Sequence, residues 1–214
     1  RKPHGAGETL FSLYQQQDCW ARTEEYPPLL AHLGTAFVER ALIDGFCRGA
    51  GLSFVDAVRS NALGIELGRI HPELAGTDPS DWLPSAGQSI IARHTIGLGD
   101  PLRRSDIPED ERISDGLPHA LSDAAVQYGL HHFKIKICGN LEVDIPRLRA
   151  VAAVISEASP GFRYTLDGNE QYRDITTFRH HWETYRADPD LAVLFEDHRL
   201  LFVEQPLHRA IALE

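Results

Sequence analysis

Cysteine is scarce in this chain: Cys19, Cys47 and Cys138 stand far apart, and no Cys-x-x-Cys occurs. That excludes a zinc knuckle or a disulfide framework as the organising device and fits reduced thiols in a cytoplasmic protein. Long apolar runs are also missing. None approaches the roughly 20 residues that cross a bilayer, so no membrane partner is expected. No charged-then-apolar leader opens the chain; its first residue is not methionine, and the expectation is that the start has been cut away. Clusters of Lys and Arg are absent too, since Arg103-Arg104 and Arg147-x-Arg149 are isolated. With 31 acidic against 21 basic residues and a net charge of −10, nothing here can replace the counterions of a nucleic acid. The 11 histidines show neither His-x-x-x-His nor His-Glu-x-x-His, which removes the helix-borne zinc motifs.

What is present is ordinary globular material. Hydrophobic residues make up 43% and charged residues 24% of 214, enough for a buried core in one large or two small domains. Residues 1 to about 30 read as irregular, with Gly7, Gln15-Gln16-Gln17 and Pro27-Pro28. From Leu33 to Arg48, Leu33, Phe37, Ala41, Leu42 and Phe46 recur at three- and four-residue steps, which predicts a helix burying that face. Gly49 and Gly51 end it. Ser53-Phe-Val-Asp56 has capping-box spacing and starts a second helix to about Leu63. The breaker-rich stretch 76–87 reads as a linker, so the chain divides into a mainly helical part, 1–87, and a second part, 88–214.

After the linker the texture alternates. Strands are predicted at Ser89–Ile96, His132–Ile137, Phe162–Leu166 and Leu200–Val203. Helices are predicted at Leu117–Tyr128, in a segment that Asp144 can cap, and at Thr176–Arg186. Strand–helix alternation predicts an α/β fold with right-handed crossovers and a parallel sheet. The last three strands end in ionisable groups: Lys134 and Lys136, then Asp167, then Glu204. Buried parallel strands are normally apolar throughout, and in a β/α barrel the reactive groups stand at strand C-terminal ends. Lys134 and Lys136, two apart, share one face. Repulsion between their ammonium groups favours a neutral amine that can accept a proton; the ordinary reading is a solvated edge strand. Asp167-Gly168-Asn169 reads equally as a Mg²⁺ ligand at a strand tip or as a turn. Glu204, followed by Gln205-Pro206, reads as a ligand at a barrel mouth or as a solvated strand end.

Taken together, Lys134-Ile-Lys136, Leu166-Asp-Gly-Asn169 and Val203-Glu-Gln-Pro206 resemble the enolase superfamily, in its mandelate racemase and muconate lactonizing group. Glu39–Asp44 and Ser53–Ala57 are similar to the helices of its capping domain, so the resemblance spans about residues 33–209. It implies a partial (β/α)7β TIM-like barrel preceded by part of an α+β capping domain. It also implies a Mg²⁺-dependent enzyme that removes a proton α to a carboxylate, as racemases, epimerases, dehydratases and cycloisomerases do. Lys136 would be the base, Lys134 would orient the substrate carboxylate, Asp167 and Glu204 would hold Mg²⁺, and Asn169 would stand near the metal. The partner is a small carboxylate, and the resemblance leaves room for a homo-oligomer.

In the resembled family a third metal ligand and a second acid or base come from later strands, and the sequence stops at Glu214. The expectation is therefore an incomplete, inactive site on a fragment of a longer enzyme, with exposed strand edges. Two other readings stay open: a Schiff-base aldolase with Lys136 as nucleophile, and a non-catalytic remnant that binds only a metal or partner.

Overall fold

The computed structural model of the chain describes residues 6–83 and 89–213, and it divides into two compact units, Arg1–Gln88 and Ser89–Glu214. Pro84–Gly87 of the expected linker lie outside the described residues.

The first unit is helical. α1 runs Ala6–Thr23, α2 Pro28–Ala50, α3 Phe54–Arg59 and α4 Pro79–Trp82, with single 3-10 turns at Leu67–Arg69 and Pro72–Leu74. α1 corrects the expectation of an irregular start. Its glutamine run favours helix rather than breaking it, and Leu10 and Ala21 give it a buried edge. α2 begins earlier than expected because Pro28 occupies the first turn, where a missing N–H costs nothing. It ends at Gly51, whose φ of 67° is the left-handed cap, and the N–H of Leu52 returns to the Cys47 carbonyl at 3.0 Å. Ser53 caps α3 by accepting the Asp56 N–H at 3.1 Å.

Most of the face expected to be buried on α2 is open, although Phe46 is partly buried against the Cys47 cluster. Leu33, Phe37 and Leu42 are 55%, 61% and 45% exposed, and the buried residues of α2 are Ala31 and Cys47. α3 packs around Cys47, Ala57 and Leu63, a cluster that Ile43 and Phe46 of α2 join.

The second unit is a two-layer α/β structure. Its strands are β1 (Arg93–Ile96), β2 (His132–Lys136), β3 (Arg163–Asp167) and β4 (Leu200–Glu204), and its helices are α5 (Leu121–Gln127), α6 (Leu141–Ala158) and α7 (Ile175–Ala187). The sheet is wholly parallel, in the order β1-β2-β3-β4. Sequential order with right-handed crossovers places all three connecting helices on one face. That face carries Ile96, Phe133, Ile135, Tyr164 and Leu166, sealed against Leu121, Leu148, Val151, Ile155, Tyr185 and Leu191.

Several boundaries differ from the expected ones. β1 is shorter, because its pairing begins at Arg93 opposite His132, where β2 starts. α5 starts at Leu121, and its first N–H groups are taken by the carbonyls of Pro101 and Leu102 at 3.0 Å each. α6 is capped by Asn140, whose side chain accepts the Glu142 N–H at 3.0 Å, and not by Asp144. Asp144 lies inside the first turn, buried, and serves a different purpose described below.

Candidate active site

The opposite face of the sheet is polar. Alternation along each strand puts Arg93 and Thr95, Lys134 and Lys136, Thr165 and Asp167, and Phe202 and Glu204 on this side. Lys136 aligns with Asp167, and Asp167 with Glu204, so three strand tips stand in one row at the C-terminal edge.

The row is stitched together beyond the strands. Gly168 N–H donates to the Glu204 carbonyl at 3.0 Å and Glu170 N–H to that of Gln205 at 2.8 Å. Gly168 is required there, since a Cβ would lie 2.7 Å from the Pro206 Cα. Asn169 takes a positive φ of 43° and contributes its backbone N–H, which donates to Asp167 Oδ1 at 3.0 Å. The turn reading and the strand-tip reading of Asp167-Gly168-Asn169 thus describe the same geometry.

Asp167 is 1% exposed. Burial works to raise its pKa, but the Asn169 N–H and the Lys134 ammonium outweigh it and hold the carboxyl below its ordinary value. Lys134 Nζ lies 3.0 Å from Asp167 Oδ2 and 3.6 Å from Glu204 Oε1, drawn to the two acids. Lys136 is half-buried beside them and its charge also favours ionised Asp167. Two of the chain's three lysines, Lys2 being the other, therefore stand on this face.

Arg93 was not singled out from sequence. Its Nη1 donates to Thr165 Oγ1 at 3.1 Å, its Nη2 lies 3.3 Å from Glu204 Oε2, and its guanidinium sits 5.8 Å from the centre of the Phe202 ring. This reach has a structural consequence. β1 and β4 are three strands apart, roughly 14 Å in a flat sheet. Arg93 also aligns with Arg163 while Glu204 aligns with Asp167, four positions on, about 13 Å further along the strands. An arginine and a glutamate cannot bridge that diagonal. The sheet is therefore curled, with its polar face concave.

Asp144, read from sequence as a helix cap, instead holds the rim. The Asp144 carboxylate accepts the N–H groups of Cys138 and Gly139 at 2.8 and 3.0 Å and the Tyr185 hydroxyl at 2.9 Å. It clasps the loop that leaves β2 two residues after Lys136. Burial raises the Tyr185 and Tyr172 hydroxyl pKa values, so both stay protonated as donors. Arg147 Nη2 ties the loop after β1 by donating to the Gly97 and Asp100 carbonyls, both at 2.7 Å.

The donor set suits a hard cation. Two carboxylates stand side by side, and Glu204 Oε2 is buried and accepts no hydrogen bond. Two carboxylates with water and substrate oxygens are the usual protein share of a Mg²⁺ shell. Among the described residues no group of three or more His, Cys, Asp or Glu side chains assembles. All three cysteines are free thiols, and among the described residues no helix is long and apolar enough to cross a membrane. Compared with protein families, characterised proteins and solved structures, the chain matches none.

Proposed function

We propose that the Ser89–Glu214 unit is the opening part of a (β/α)7β barrel carrying an incomplete enolase-type site that removes a proton α to a carboxylate. The observation that carries this reading is the aligned row Lys136, Asp167 and Glu204 on a concave polar face. Sequential parallel order and the curl inferred from Arg93 are the features a barrel segment has and a flat doubly wound sheet lacks.

Asp167 and Glu204 would hold Mg²⁺; bound there, the ion supplies Lewis-acid charge for a substrate carboxylate. Lys136 is the group available to take the carbon-bound proton, because its neighbour Lys134 is occupied by the two acids. Lys134 keeps Asp167 ionised and adds positive charge where negative charge develops. The covered sheet face and the clasped β2 loop hold these groups in place.

Calorimetric titration with Mg²⁺ is the direct test. Binding that is lost in Asp167→Asn and in Glu204→Gln supports the reading; absence of heat and of any thermal shift overturns it. Solvent deuterium entering the α-position of a panel of carboxylates, followed by NMR, is the part-reaction Lys136 can support with no second base. It should vanish in Lys136→Ala, while complete turnover is not expected. A second reading is favoured by one feature: Lys134 and Arg93 already neutralise both acids. On that view the face is a non-catalytic remnant, and the same titration separates the two.

A further inference from the structure

We propose that Arg93 couples cation binding to anion binding on the concave face: released from Glu204 by a divalent ion, it becomes a receptor for the substrate carboxylate. This rests on the reading of Asp167 and Glu204 as metal ligands. Arg93 has three neighbours, and they differ in kind. Thr165 Oγ1 accepts a hydrogen bond at 3.1 Å, and the Phe202 ring lies beneath the guanidinium at 5.8 Å. Neither would be changed by a cation. The third, Glu204 Oε2 at 3.3 Å, is an ion-pair contact with no hydrogen bond made.

A cation that takes Glu204 removes the one negative partner that Arg93 has among the described residues and leaves its two anchors intact. The guanidinium presents a planar fork of donors matched to a carboxylate. Charge counting points the same way. Arg93 and Lys134 offset Asp167 and Glu204, and Lys136 and Arg163 stand on the same face, so it carries no negative surplus before any ion binds and leans positive. A divalent cation adds to that positive charge, so a small monocarboxylate or dicarboxylate is the matching ligand. Because linkage is reciprocal, the carboxylate must strengthen cation binding by the same factor that the cation strengthens carboxylate binding.

The test uses the full chain with Mg²⁺ and lactate as probes. Mg²⁺ is titrated calorimetrically with and without saturating lactate, and lactate with and without saturating Mg²⁺. Wild type is expected to show equal enhancements in the two directions, roughly 5- to 150-fold. Arg93→Gln should bind Mg²⁺ alone more tightly than wild type, since a competitor for Glu204 is gone, and should show a clearly smaller lactate enhancement, keeping only the part that the ion's own attraction for the carboxylate supplies. Arg93→Lys keeps a charge without the fork, so it should retain the competition and show a smaller lactate enhancement than wild type; it also serves if the glutamine variant fails to fold. Mg²⁺ binding with undiminished lactate enhancement in either variant overturns this proposal alone. Absence of Mg²⁺ binding in wild type and variants overturns the metal reading and this proposal with it.

Discussion

The two units place their large apolar side chains very differently. In the α/β unit, Phe133, Ile135, Tyr164 and Leu166 alternate onto one sheet face and are sealed by three helices. In the helical unit, Leu33 and Phe37 of α2 stay open, and the buried centre is the small group Cys47, Ala57 and Leu63. A parallel strand has a helix folded back over it by the crossover itself, so burying an alternating face needs only the next element. A helix stripe has no such built-in partner. Its burial depends on which side the neighbouring helices choose, and α3 chose the side of Cys47.

Substitution should separate the units most sharply at matched phenylalanines. Phe133→Ala is expected to cost about 3–5 kcal/mol, against within about 0.5 kcal/mol for Phe37→Ala. Urea denaturation followed by Trp182, which packs on the α/β core, measures the first; equal losses would mean the stripe on α2 is covered. Next in size is Asp144→Ala. It leaves the Cys138 and Gly139 N–H groups and the Tyr185 hydroxyl without their acceptor, at roughly 1–3 kcal/mol per orphaned group, with incomplete additivity. Hydrogen exchange at the Cys138 and Gly139 amides should quicken while the helical unit is unaffected. Ser53→Ala removes the cap of α3 and should cost about 1 kcal/mol, read in the helical unit only.

The smallest change is expected in acid. The Asp167 pKa is lowered in the folded state. Its contribution is therefore fully present above the unfolded value of about 3.9 and is lost as pH falls through the lower folded value. Asp167→Asn should flatten the acid limb of the stability curve below about pH 4 and leave the slope near neutrality unchanged. An unaltered acid limb would show that Asp167 is not the group responsible.

Much of the α/β unit was legible in the order of residues. Strand positions for β2, β3 and β4 differ from expectation by about one residue at their ends, because period-two alternation and flanking breakers are local signals. The order Lys134-x-Lys136, Asp167, Glu204 also marked the face that the register brings into one row. Less could be read at β1, where Ile90 and Ile91 extend the apolar run but nothing lies opposite them to pair with. In the helical unit α1 was read as irregular although its glutamines favour helix, and of the face expected to be buried on α2 only Phe46 packs against the Cys47 cluster. Trp20 and Trp82 are 47% and 61% exposed, while Trp182 packs on the α/β core. Arg93 carried no signal because it acts across several strands, and Asp144, read as a helix cap, instead accepts from the β2 loop and from Tyr185 far along the chain.

By itself the sequence determined which residues alternate onto which side of each strand, and that charged groups close three of them. Those are consequences of backbone geometry within a few residues. Only the tertiary structure decided that the strands lie in sequential register, that the polar face curls inward, and that Arg93 reaches Glu204 across the sheet. The cause is that register and curvature come from the packing of whole strands and helices against one another, which no short stretch of chain encodes.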